Sequence, residues 1–162
     1  MILTGNQIRK EVVKGDVIID PFSEDQINPN SYNYRLGDDL IVFGDDNKQK
    51  TVKIDEGGYV LEPGVMYLAA TKEVLGSNKF AMRLIGKSSI GRLGLFLQIS
   101  ADLGHVGSVH NWTLELVAAH KIRIYPGMII GQITFWESKG KISVPVETYN
   151  KFNEPQESLF KI

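Results

Sequence analysis

The sequence contains no cysteine. That excludes a disulfide framework and every zinc or iron–sulfur site built on thiolates, and it suits a reducing compartment. Neither sign of charge is in excess, because 18 Lys and Arg face 19 Asp and Glu for a formal net charge of −1. Bulk attraction to nucleic acid or to an anionic membrane is therefore not expected. No apolar run approaches the roughly 20 residues of a membrane-spanning helix. The N-terminal stretch MILTGNQIRKEVVKG has no basic segment followed by a continuous apolar one, so no signal peptide is expected and a cytoplasmic location follows. Internal repeats, low-complexity tracts and linkers are also missing.

What is present suits one soluble domain over residues 1–162, with 43% hydrophobic and 23% charged residues, long enough to bury a core without staples. Thr4 and Gln7 fit a capping box, Ile8 and Val12 share a face, and Gly15 is a natural stop, so a helix is expected between them. After it come short apolar runs divided by turn residues: Val17–Ile19, Tyr32–Leu36, Leu40–Phe43, Thr51–Ile54, Tyr59–Leu61, Val65–Ala70, Phe80–Ile85, Leu95–Ile99, Trp112–Ala118, Ile122–Tyr125 and Ile129–Trp136. A single helical turn is expected over Lys72–Gly76. Many short strands at even spacing indicate an all-β barrel or double-sheet sandwich. The C-terminal segment 147–162 has little periodicity, and its aromatics Tyr149, Phe152 and Phe160 favour docking onto a ligand or partner over plain disorder.

The chemistry concentrates in Gly86–Leu116, GKSSIGRLGLFLQISADLGHVGSVHNWTLEL. Gly86, Lys87, Ser88 and Ser89 are not a P-loop, since the position five before Gly86 is Ala81 and no βαβ pattern flanks it. They read either as a polar turn or as a phosphate cradle of backbone N–H groups, hydroxyls and one positive charge. If Ser89 caps a helical turn, Ser88 and Arg92 lie four apart and face one site; Arg92 is otherwise an ordinary surface arginine. Period-2 alternation puts Trp112, Leu114 and Leu116 on one face of a strand and Thr113, Glu115 and Val117 on the other. The second face is either solvated or, because Val117, Ala118 and Ala119 continue apolar, buried. A buried Glu115 needs a partner, for which Arg92 is the candidate. His105, His110 and His120 match no tight metal-ligand spacing, and the zinc-deaminase signature is missing.

At this point the residues resemble the dCTP deaminases of the dUTPase-like superfamily. That family shows R-S-S-x-x-R-x-G-L, then T-A-x-x-I-D-x-G-[WF], then a strand ending L-E-[LFI]. The same registers here read Lys87 to Leu95, Ser100 and Ala101, Gly107, and Leu114 to Leu116, without a gap. Asn28 to Tyr32 with Arg35 to Gly37, Pro126 to Met128 with Ile130 and Gly131, and Tyr149, Lys151 and Ser158 extend the likeness over nearly the whole chain.

The resemblance implies a mainly β, distorted barrel or jelly-roll subunit with an N-terminal helix, in a homotrimer whose three sites lie between subunits. It implies hydrolytic deamination of dCTP to dUTP and ammonia without zinc. Glu115 is then the acid and base that activates water, Arg92 orients it, and Ser88 and the backbone near Ala101 hold water and base. Lys87, Ser88, Ser89, Arg92, Ala101, His105, Thr113, Leu114, Glu115, Tyr149, Lys151 and Gln156 are the expected nucleotide contacts, with Mg2+ carried on the triphosphate and 147–162 closing over it. The alternatives are a bifunctional enzyme releasing dUMP and pyrophosphate, a relative acting on another pyrimidine nucleotide, and a non-catalytic nucleotide-binding trimeric scaffold. Three departures stand out: His105 in place of the motif's aspartate with Gly104 before it, Ser108 in place of its aromatic, and Lys87 in place of its arginine, which loses a bidentate fork. A histidine also accepts protons near neutral pH.

Overall fold

The computed structural model describes residues 1–44, 48–142 and 152–159. Helix α1 runs Gly5–Lys14. The Thr4 hydroxyl accepts the Gln7 N–H at 3.3 Å, and Gly15 closes the helix with a φ of 80° that suits glycine. Only half of the expected capping box forms, because the Gln7 amide turns instead to Glu11 Oε1 at 2.6 Å. Ile8 is wholly buried, which contributes about 1.5–3 kcal/mol.

The remainder is β structure: β1 Val17–Asp20, β2 Tyr32–Phe43, β3 Gln49–Lys53, β4 Tyr59–Leu61, β5 Met66–Ser77, β6 Ala81–Gly86, β7 Leu95–Leu97, β8 Leu103–Gly104, β9 Val109–Ala118, β10 Ile122–Ile124 and β11 Ile129–Trp136. A 3-10 turn spans Glu24–Gln26, and a short helix, α2, spans Ser88–Arg92 between β6 and β7. Among the described residues, nine strands form one sheet with a spine ordered β7-β9-β5-β2-β11-β6-β8, to which β1 adds on β5 and β3 on β2; β10 and β4 pair separately. This is the expected mainly β class, as a sheet curled into a half-barrel around a core that includes Tyr32, Tyr34, Leu75, Met82, Leu114 and Phe135.

Two expectations are corrected here. Residues 32–36 and 40–43 belong to one long strand, with a register shift between Leu36 and Leu40 in its pairing with β5. Lys72–Gly76 is no helical turn but part of β5, which carries an irregularity between Ala70 and Val74 opposite β9. The cause is Glu73, whose wholly buried side chain accepts the Arg35 N–H at 2.8 Å and pairs with Arg35 Nε at 2.6 Å. A bulge aims that carboxylate inward without ending the sheet.

Helix α1 is fastened by charge as well as by burial. The Glu11 carboxylate receives Lys14 Nζ at 2.9 Å and Lys79 Nζ at 3.4 Å. The Lys14 hydrogen bond holds the Glu11 pKa down to about 2, with Gln7 assisting. A carboxyl depressed in the folded state stabilises above its unfolded value near 4.5 and loses that contribution as pH falls toward about 2. Thermal melts across that window should show the native chain losing stability on acidification. Glu11→Gln should be less stable at neutral pH and flatter across the window, and an equally steep acid limb in the variant would contradict this account.

Candidate active site

The site grows from the two edges of β9. On one edge the strand is fixed to the bulge of β5: the Trp112 N–H donates to Thr71 Oγ1 at 2.9 Å, Asn111 Nδ2 to Thr71 O at 2.9 Å, and the indole N–H to Leu75 O at 2.8 Å. On the other edge β7 covers only Leu116–Ala118. Beyond the end of β7 the strand opens onto a cavity of about 690 Å3, an ordinary size for a small-ligand site.

The cavity wall takes Thr113 and Glu115 from β9, Ala101, His105 and Ser108 from the preceding loop, and Phe152 and Gln156 from the C-terminal segment. The Gln156 N–H donates to Thr113 Oγ1 at 3.1 Å, and Asn153 Oδ1 accepts the Asn111 N–H at 3.4 Å, so residues 152–158 dock along β9. Ser100 Oγ donates to Glu115 Oε2 at 3.5 Å. Gln98 Oε1 accepts the Glu115 N–H at 3.0 Å.

The structure thus brings together Ala101, His105, Thr113, Glu115 and Gln156. It places the others differently. Leu114 has its side chain in the core, which leaves only its backbone for a ligand. Lys87 and Ser88 line a separate recess of about 500 Å3 with Phe96, Leu97 and Ile99. Ser89 is not the cap of α2; Lys87 occupies that position through its backbone, held by its N–H on Ile130 O at 3.1 Å. Ser88 and Arg92 keep their expected four-residue spacing at the two ends of α2. Among the described residues no hydrogen bond or ion pair joins Arg92 to Glu115, so the candidate pairing is not made within a single copy. The outer face of β9 is not buried either: Thr113, Glu115 and Val117 are half-exposed, whereas Leu114, Leu116 and Ala118 are buried. Tyr149 and Lys151 lie outside the described residues.

Several wall residues were not singled out in the sequence as site residues. His110 is buried and stacked on Trp112 with ring centroids 4.3 Å apart. Its Nδ1 lies 2.8 Å from Asn111 O, an acceptor only, so Nδ1 carries the proton. Burial pushes its pKa down, so the ring is neutral at neutral pH. The alternation of aromatic and polar residues through His110, Asn111, Trp112 and Thr113 was the signal for this wall. Gly104 belongs to the same packing: a Cβ there would stand 2.9 Å from Trp112 Cη2 and 3.2 Å from Met82 Cβ.

Charge is unevenly distributed. Among the described residues, the cavity lining holds two carboxylates, Glu115 and Glu157, and neither lysine nor arginine. The family model for dCTP deaminase-like proteins matches residues 2–138. The chain belongs to the dCTP deaminase family, a family of enzymes. A relative from Hathewaya histolytica named "dCTP deaminase, dUMP-forming" is 43% identical over 148 residues, 87% of this chain and 86% of that one. One of the same name from Clostridium acetobutylicum is 44% identical over 86% of this chain and 84% of its own. A Rhodopirellula baltica relative named "dCTP deaminase" is 40% identical over 98% of this chain and 84% of its own. In fold, this deaminase-family chain is similar to the crystal structure of 2'-deoxycytidine 5'-triphosphate deaminase from Agrobacterium tumefaciens, with a TM-score of 0.71 at 23% identity over 85% of this chain and 48% of that one.

The contact between Gly104 and Trp112 is testable by a mutant cycle. Gly104→Ala overpacks the wall and should cost about 1–3 kcal/mol. In a Trp112→Leu background the same change should cost clearly less, since the atom it meets is gone. Additive losses in denaturant melts would show that the two positions do not share this space.

Proposed function

We propose that the chain hydrolyses dCTP to dUMP, ammonia and pyrophosphate. The observation that carries this reading is the name "dCTP deaminase, dUMP-forming" borne by relatives at 43–44% identity over 86–87% of the chain. It replaces dUTP as the expected final product. In the first step Glu115 takes a proton from water as the oxygen adds to C4 of cytosine. It passes that proton to N3, then takes the proton of the new C4 hydroxyl and passes it to the amine, so that the C4–N bond breaks, ammonia departs and dUTP remains. A second water then attacks the α-phosphorus and pyrophosphate leaves. Ser100 beside the carboxylate and the main chain of Thr113, turned to the cavity beyond the end of β7, are suited to orient carboxylate and base. A positioned acid–base group of this kind supplies about 10²–10⁴-fold.

Two carboxylates and no described cation make a poor receptacle for a triphosphate. Lys87, Ser88, Ser89 and Arg92 are exposed or half-exposed on a different part of the same chain. Around them and the cavity mouth, Met66, Leu93, Phe96, Ile99 and Leu103 are between 45% and 63% exposed, an apolar area suited to subunit contact. This supports a homotrimer in which the phosphate-binding groups of one copy complete the cavity of the next. Mg2+ carried on the triphosphate would screen its charge. Tyr149 and Lys151 would close over the nucleotide.

A second reading, deamination that stops at dUTP, is favoured by His105, which stands in the cavity wall where the family motif has a carboxylate. Incubation with dCTP and Mg2+, with ammonia and pyrophosphate assayed separately, decides between them. Equal amounts support dUMP formation, and ammonia alone supports the second reading. Binding of dCTP without either product would leave a nucleotide-binding scaffold or an enzyme for another pyrimidine nucleotide.

Shared sites make a further prediction. Glu115→Gln and Arg92→Ala should each lower turnover by at least about 100-fold. Refolded together in equal amounts they should recover about one quarter of the native sites, since half the carboxylates and half the arginines are intact and pair at random around the ring. No recovery in verified mixed trimers would contradict a site built from two copies.

A further inference from the structure

We infer that Gln98 is a positioning residue of the deamination site, which holds Glu115 and the Ser100–Ala101 loop at a fixed separation. This inference rests on the acid–base role proposed for Glu115. The sequence gives no hint of it, because Gln98 belongs to none of the recognisable motifs.

The argument begins with the end of β7. The β7–β9 ladder runs Leu95↔Ala118, Phe96↔Val117, Leu97↔Leu116, so the next pair in register is Gln98 with Glu115. In a continuing antiparallel strand those two residues would exchange both main-chain hydrogen bonds. Only one is made by the main chain: the Gln98 N–H donates to Glu115 O at 3.3 Å. The Glu115 N–H goes instead to the side-chain oxygen of Gln98, at 3.0 Å. Gln98 has a φ of 49°, the one positive value at a non-glycine residue among those described. The chain thereby leaves the sheet in mid-rung, and the amide oxygen supplies the acceptor that a continuing strand would have provided.

Leaving the sheet here is what opens the site. A further pair of β7 residues would lie along β9 where the cavity now meets Thr113 and Glu115. The other end of the same amide holds the loop that replaces them, since Gln98 Nε2 donates to Ala101 O at 3.3 Å. Between the two anchor points lies Ser100, whose hydroxyl reaches Glu115 Oε2. One planar group therefore sets the spacing between the strand that carries the carboxylate and the loop that faces it.

The chemistry requires glutamine. The position needs an acceptor for Glu115 N–H and a donor for Ala101 O on one side chain. The amide orientation follows, because the reverse would set N–H against N–H and oxygen against oxygen. Glutamate keeps the acceptor but opposes Ala101 O and adds a charge beside Glu115. Methionine keeps length and flexibility and supplies neither bond.

The test uses Gln98→Met and Gln98→Glu in the full-length chain, with ammonia release from dCTP as the readout beside nucleotide binding by calorimetry. Small misplacements of reacting groups cost roughly tenfold to a hundredfold in rate. Gln98→Met should lower kcat by that factor with KM changed less than about threefold, and the Glu115 amide should lose protection from hydrogen exchange. Gln98→Glu, which keeps the Glu115 bond, should retain that protection and still lose turnover. A merely structural role would lower the folded fraction and leave kcat per folded, nucleotide-binding site unchanged. That result, or kcat within twofold of the native chain in Gln98→Met, overturns the inference. Loss of activity in Glu115→Gln with native turnover in Gln98→Met would sink Gln98 alone. Full activity in Glu115→Gln would sink the role of Glu115, and that of Gln98 with it.

Discussion

Glu73 lies in β5 with its side chain wholly removed from water, and a carboxylate can sit there only if its charge and lone pairs are met by fixed partners. Arg35 supplies a main-chain N–H and a guanidinium N–H, and Gln26 an amide N–H at 3.2 Å. Removing one partner of such a pair costs about 3–5 kcal/mol, because the other charge stays buried. The bulge that aims Glu73 inward also presents Thr71, whose hydroxyl donates to Glu73 O at 2.8 Å and accepts the Trp112 N–H. The same bulge offers two carbonyls to Asn111. The register of β9 follows, and with it the placement of Thr113 and Glu115 toward the cavity and Leu114 toward the core. A one-residue slip would exchange those faces, so the placement of the site follows from one irregularity in β5, which the buried ion pair holds.

Electrostatics divides the chain into two complementary parts. The cavity carries Glu115 and Glu157 among its described lining residues, and the recess by α2 carries Lys87 and the serine hydroxyl of Ser88. A nucleotide has the reverse arrangement, a neutral base at one end and phosphates at the other. Two subunits placed so that one recess meets the next cavity would match that polarity. The exposed apolar residues between the two, Phe96 and Ile99 above all, give such an arrangement a reason to form that does not depend on ligand.

Much of this was legible in the sequence, for local reasons. Thr4 and Gly15 mark the helix because capping depends on side chains a few residues away. The alternation Leu114, Leu116, Ala118 marks the inner face of β9 because one side of that strand meets the core. Registers shared with a known family singled out Glu115, which lies in the cavity wall, and the lysine–serine turn, which lies in a separate recess. The failures share a different cause. Lys72–Gly76 resembles a helical turn until Arg35, some forty residues away, turns Glu73 inward. Gln98 is an unremarked polar residue until the end of β7 forces it to finish a rung of the sheet. The lack of an Arg92–Glu115 contact within one chain is invisible to spacing, because spacing cannot say whether two motifs meet in the same copy.

The stretch from Gly104 to Ser108 departs from the family motif while the family scaffold persists. Where the motif has isoleucine this chain has Gly104, and the space a side chain would fill is held by the Trp112 ring. Two backbone bonds hold the turn that follows: the Ser108 N–H donates to His105 O at 3.1 Å and the Gly107 N–H to Ser77 O at 2.7 Å. Neither bond depends on the side chain at position 105. The turn can therefore present a histidine in the cavity wall as readily as an aspartate, and an anionic acceptor is replaced by a ring that is donor and acceptor at once.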